Sequence, residues 1–184
     1  MTRIFTTLAL CSTAVLVAAL WLGLDIGDAR VRESAVQSRV TVHFLAGVAA
    51  LVFAVLVHTL VITYFMGTGR WLQETCAAYR LGKDWQTRSR DLKWRLYPAV
   101  VASLLALIAT GAFGGAADPA SAVGFRGIGP LSAAQVHLCV AIAALLLNGV
   151  VNMMEYVALR RNGMLVSEVL ADVRRIRIER GLEV

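Results

Sequence analysis

Four apolar runs, at 4–24, 40–66, 97–113 and 131–159, leave this chain few folds to choose from. Each reaches the roughly 17–25 residues that carry an α-helix across a bilayer. Lipid offers no water to main-chain N–H and C=O groups, so such runs must bond internally as helices. Composition agrees. Of the 184 residues 58% are hydrophobic and 16% charged, against about half and a quarter in a soluble domain. The expectation is an all-α integral membrane protein, a four-helix up-down bundle forming one transmembrane domain over 1–184. The first run is read as a retained helix, not a signal peptide. It exceeds the ~7–15-residue apolar core of such peptides, and no small-x-small site follows Trp21. Leu10 also spoils a lipoprotein box before Cys11.

Charge sets the topology. The net charge of +6 is concentrated in two places. The 67–96 connection carries Arg70, Arg80, Lys83, Arg88, Arg90, Lys93 and Arg95, and the tail carries Arg160, Arg161, Arg174, Arg175, Arg177 and Arg180. The other two connections are poor in cations. Lys and Arg stay on the cytoplasmic side, so both termini are expected in the cytoplasm, in an inner (plasma) membrane. The basic balance thus implies lipid and not nucleic acid. Cys11, Cys76 and Cys139 form no metal-type cluster and imply no disulfide.

The connection 67–96 reads as a cytoplasmic loop. Gly67-Thr68-Gly69 marks the exit of the second helix, and Trp71, Leu72, Cys76 and Tyr79 suit a short interfacial amphipathic helix. Trp85, Trp94 and Tyr97 continue an aromatic belt, with 84–95 as a solvated stretch. Asn162-Gly163 suits a break in the last helix. The tail 163–184 then reads as a second amphipathic segment resting on the anionic inner leaflet.

All three histidines fall inside the apolar runs, where ionisable groups are costly and mark function by default. His43 and His137 lie near one depth, close to the outer surface. At ~100° per residue, His43, Gly47, Ala50, Ala54 and His58 share one sector of the second helix. His137, Ala141, Ala144, Asn148 and Asn152 share the matching sector of the fourth, and Glu155 continues it. Two such stripes facing one another leave room for a flat ligand between histidines. The plainer account gives each histidine a backbone carbonyl and each stripe a close helix contact.

This pattern resembles the four-helix membrane cytochromes b, including those that anchor respiratory dehydrogenases. The likeness covers the architecture and the outer histidine pair. It implies haem b with His43 and His137 as axial ligands to the iron. Gly47 would clear space for the macrocycle edge, and Arg39 would pair with propionates. Two-haem members carry a second histidine on the fourth helix where this chain has Asn152, so one haem is implied. His58, Asn152, Glu155 and Arg70 form a second candidate, an inner polar site for a quinone headgroup or for protons. For Glu155 itself the favoured expectation is escape to the interface and pairing with Arg70, Arg160 or Arg161.

No phosphate-binding glycine loop, Ser/His/Asp arrangement or internal repeat is present. The function expected is therefore that of an electron-transfer subunit working beside other membrane or redox subunits, not of an enzyme alone. It would pass electrons between an extracytoplasmic redox partner and a cytoplasmic-side acceptor such as quinone. The alternative is a cofactor-free structural, assembly or regulatory protein that docks a cytoplasmic partner or the lipid surface. A transporter is disfavoured, since no span is interrupted.

Overall fold

A computed structural model describes residues 1–182. Its elements are α1 (Thr2–Leu24), α2 (Ser34–Tyr79), α3 (Asp84–Ala117), β1 (Gly127–Ile128), β2 (Leu131–Ser132) and α4 (Ala133–Glu179). All four helices are long and apolar enough to cross a membrane. At 1.5 Å per residue, the 23 residues of α1 span about 35 Å, little more than the ~30 Å hydrocarbon core. The 46 residues of α2 and 47 of α4 span about 70 Å each. Much of both helices therefore reaches beyond any bilayer.

α1 packs on α2 and α4, α3 packs on α2 and α4, and α2 also meets α4. The main core joins Phe5 and Ala9 of α1, Val57, Val61 and Phe65 of α2, Leu96 and Val100 of α3, and Val151 and Leu159 of α4. The opposite faces are bare and apolar: Val52, Leu105, Ile108 and Leu146 are each at least 60% exposed. Exposed apolar side chains on helices of this length are compatible with a lipid bilayer around them.

The ends are set by local chemistry. Ser132 caps α4 in a reciprocal box: its Oγ accepts from Gln135 N–H at 3.3 Å, and Gln135 Oε1 accepts from Ser132 N–H at 2.8 Å. The β1–β2 hairpin before it needs Gly127, whose φ of 125° and whose approach to the Leu131 carbonyl exclude a side chain.

The Arg/Lys-rich end departs from the expectation of a loop, a short interfacial helix and a broken tail. α2 runs unbroken through Gly67-Thr68-Gly69, α3 begins at Asp84, and α4 passes through Asn162-Gly163 without a break. Only residues 80–83 are non-helical, with Arg80 in the left-handed region at the cap and Leu81 N–H bonded to the Cys76 carbonyl. Tertiary contacts explain the continuity. The Lys93 side chain of α3 lies where a Cβ on Gly69 would stand, so this glycine permits a close helix approach. Asn162 Nδ2 donates to Thr68 Oγ1 at 3.1 Å, stitching α4 to α2. Beyond it, Leu72 and Cys76 pack with Leu165 and Val169 in a second core, flanked by Trp71, Trp85 and Val173. An interior glycine costs a helix about 1 kcal/mol. Burial of several large side chains, at about 1.5–3 kcal/mol each, outweighs that. The alternating charges of 84–95 mark a helix face, with Ser89 buried and Arg88 bonded to Glu168 at 2.9 Å. Burial in this core also lifts the Cys76 thiol above its ordinary pKa. Residues 183 and 184, the end of the expected tail, lie outside the described residues.

Candidate functional site

The structure builds two histidine centres. At the end away from the Arg/Lys-rich connection, His43 of α2 and His137 of α4 face each other with ring centroids 6.1 Å apart and planes inclined by 69°. Two imidazoles bound to opposite sides of one metal ion, at about 2.0 Å per nitrogen, bring their centroids about 6 Å apart. His43 Nδ1 lies 3.0 Å from the Ala19 carbonyl oxygen of α1. A neutral imidazole donates from one nitrogen only, so this bond puts the proton on Nδ1 and leaves Nε2 with a lone pair. Metal-ligating histidines are commonly fixed in this way.

The other two helices floor the rings with glycine. A Cβ on Gly23 would stand 2.8 Å from His43 Cε1, and one on Gly114 would stand 3.0 Å from His137 Cε1. The arrangement repeats across the site. Gly23 lies one turn after Ala19 on α1, and Gly114 lies one turn after Thr110 on α3, whose backbone His137 approaches. His137 Nδ1 is buried, and among the described residues only the Thr110 backbone is near it, short of full hydrogen-bond geometry. Gly47 faces open space, where an added Cβ would meet nothing within 4 Å. Arg39 is turned to the end of α1: its Nη1 donates to the Asp25 carbonyl at 3.1 Å, and its Nε stands 3.9 Å from Asp25 Oδ2.

The second centre lies deeper, about 22 Å along α2 from His43. His58 is fully buried. Its Nδ1 is 2.9 Å from Glu155 Oε1, and its Nε2 is 3.0 Å from Asn148 Oδ1 and 3.1 Å from Ser103 Oγ. Both histidine stripes thus face inward: Ala50, Ala54 and His58 on α2, and Ala144, Asn148 and Glu155 on α4, are buried.

Glu155 overturns the expectation of escape to the interface. It is 0% exposed and bound to His58, because unbroken α4 holds it on the same face as Asn148. Arg70 does not join this centre. It is exposed and bonded to Glu74 one turn on, at 2.9 Å. Arg160 instead lies over the Tyr156 ring. Asn152 stays beside the cluster with its Oδ1 buried and unpartnered among the described residues.

Sequence reasoning missed Ser103, Gly23 and Gly114 as site members, and placed Asn148 on the stripe without assigning it a bond. A lone serine inside the apolar run 99–108 was the available signal for Ser103. The glycines near the outer ends of the first and third runs were the signal for the floors. Among the described residues, no three His, Cys, Asp or Glu side chains gather as a metal site. No protein-family model, curated protein or solved structure matches the chain.

Proposed function

We propose that this chain is a b-type cytochrome subunit, an up-down bundle with one haem held by His43 and His137 and both termini in the cytoplasm. The observation that carries the reading is the facing imidazole pair at 6.1 Å, with His43 Nδ1 tied to a carbonyl. Three further features fit the group. Gly23 and Gly114 keep their helices from crowding the rings, Gly47 leaves open space below His43, and the Thr110 backbone stands beside His137 as the Ala19 carbonyl stands beside His43. A bound haem supplies one-electron exchange.

The protein's own residues do the rest. The Ala19 carbonyl fixes the His43 tautomer, and the glycines let the rings sit close against α1 and α3. Arg39 supplies positive charge at the aqueous rim, beside Asp25. Electrons would pass between an extracytoplasmic redox partner and an acceptor on the Arg/Lys-rich side, such as quinone. The outward arginines of the tail, Arg174 and Arg175, would meet anionic headgroups there.

The test is a reduced-minus-oxidised visible spectrum of purified protein, with haem quantified against protein. Sharp cytochrome b bands near one haem per chain are expected, lost in His43→Ala and in His137→Ala. A flat spectrum from folded protein made in a haem-replete membrane would refute the reading. A second reading draws on the helical extension with its own core of Leu72, Cys76, Leu165 and Val169. On that account the chain is a cofactor-free assembly or regulatory protein. Deleting 164–184 would then abolish partner binding, while His43→Ala would not.

A further inference from the structure

The inner centre engages both nitrogens of the His58 ring. An amide oxygen only accepts, so the contact between His58 Nε2 and Asn148 Oδ1 at 3.0 Å places a hydrogen on Nε2. Ser103 Oγ, 3.1 Å from the same nitrogen, is free to accept as well. On the other side Nδ1 faces Glu155 Oε1 at 2.9 Å. If Nδ1 donates as well, the pair is an imidazolium and a carboxylate; if Glu155 donates to Nδ1, both groups are uncharged; in either form the pair is neutral as a whole. That neutrality is what permits burial at 0% exposure on both sides.

Three polar atoms beside the pair have no partner among the described residues: Glu155 Oε2, Asn148 Nδ2 and Asn152 Oδ1. All three belong to one face of α4 at helical spacing. An unpaired carboxylate oxygen in a buried setting costs several kcal/mol unless something meets it. We propose that the ion-pair form is the resting one and that Glu155 Oε2 is a proton-binding site inside the membrane-spanning part, held beside the His58 ring. The step is balanced simply. A proton from bulk water forms an O–H bond on Oε2, the carboxylate becomes a carboxylic acid, and the centre moves from neutral to +1. Release reverses it.

Few other groups can interfere. From α1 the buried residues are Phe5, Ala9, Ser12 and Ala19, none of them titratable. α3 brings Ser103, and Tyr97 with an unpartnered buried hydroxyl. α4 brings Glu155 with the Asn148 and Asn152 amides, and α2 brings His58. The inference stands without haem. With haem at the outer pair, this centre would take up the positive charge that offsets an arriving electron.

The experiment is infrared difference spectroscopy of the full-length protein in lipid vesicles as bulk pH is lowered from about 8 to about 4. A carboxylic-acid C=O band should grow, shift in deuterated water, and vanish in Glu155→Gln. Ser103→Ala should keep the band and move its midpoint, since it removes one acceptor from the imidazolium. Nitrogen-labelled histidine NMR of the unmutated protein should show one imidazolium at neutral pH, identified as the signal lost in His58→Gln. A pH-invariant infrared spectrum overturns the proposal, as does a band that survives Glu155→Gln. So does a neutral His58 tautomer throughout. None of these outcomes depends on whether the protein carries haem.

Discussion

The two histidine centres use the same residue type in opposite ways. His43 and His137 face each other, lean on glycine, and have at most the backbone for hydrogen bonding. His58 touches three polar side chains from two other helices and is sealed from solvent. The outer rings have few polar neighbours and lie against glycine, whereas the inner ring has both nitrogens engaged by side chains. A site that must admit a ligand keeps lone pairs free and neighbours small. A site that must stay folded in a low-dielectric interior brings its own hydrogen-bond partners. The difference predicts that stability resides in the inner centre and ligand capacity in the outer.

Removing one member of the inner pair tests this hardest. Glu155→Ala should cost about 3–5 kcal/mol, because it removes the partner of the buried His58 ring. Thermal or denaturant unfolding in detergent measures it. The double replacement His58→Leu with Glu155→Leu should be less damaging than Glu155→Ala, since no uncompensated charge remains. His43→Ala in cofactor-free protein should cost only about 1–2 kcal/mol, having lost one backbone hydrogen bond and partial burial. Equal losses at the two centres would remove the distinction.

The glycines sharpen the contrast at the outer end. Gly23→Ala and Gly114→Ala insert a Cβ within 2.8 and 3.0 Å of ring atoms, and overpacking of this kind costs about 1–3 kcal/mol. Gly47→Ala meets nothing, so it should stabilise the cofactor-free protein by about 0.5–1 kcal/mol through helix propensity alone. The sign of the change separates floor from open space. All three substitutions should lower haem occupancy if the group sits where proposed.

Much of this was legible in the chain because membrane spans write themselves as uninterrupted apolar runs. The inward faces were legible too, since His43 to His58 and His137 to Glu155 follow one helical stripe each. What could not be read was where the helices stop. Gly67-Thr68-Gly69 and Asn162-Gly163 carry local signals for ending a helix, yet the contacts that override them are between residues far apart in sequence: Asn162 with Thr68, Lys93 over Gly69, Leu72 and Cys76 against Leu165 and Val169. Glu155 was misjudged for the same reason. Arg160 and Arg161, one to two turns on, suggest a surface pair, whereas its face of α4 is decided by packing against α2.

Smaller effects test the junction between the two cores. Asn162→Leu removes a single bond to Thr68 at 3.1 Å, worth about 1 kcal/mol. It should also raise the reactivity of Cys76 toward a maleimide by loosening the second core. Arg70→Ala should do least of all. Its guanidinium is 82% exposed on the side chain and bonded to Glu74 on its own helix, and exposed pairs of this geometry contribute little. The informative readout is therefore not stability but the His58 nitrogen signal. If Arg70 belonged to the inner centre, its removal would shift that signal and the Glu155 carboxyl band together. With Arg70 held outside by an unbroken α2, both should stay where they are, and the inner charge balance would rest on His58 and Glu155 alone.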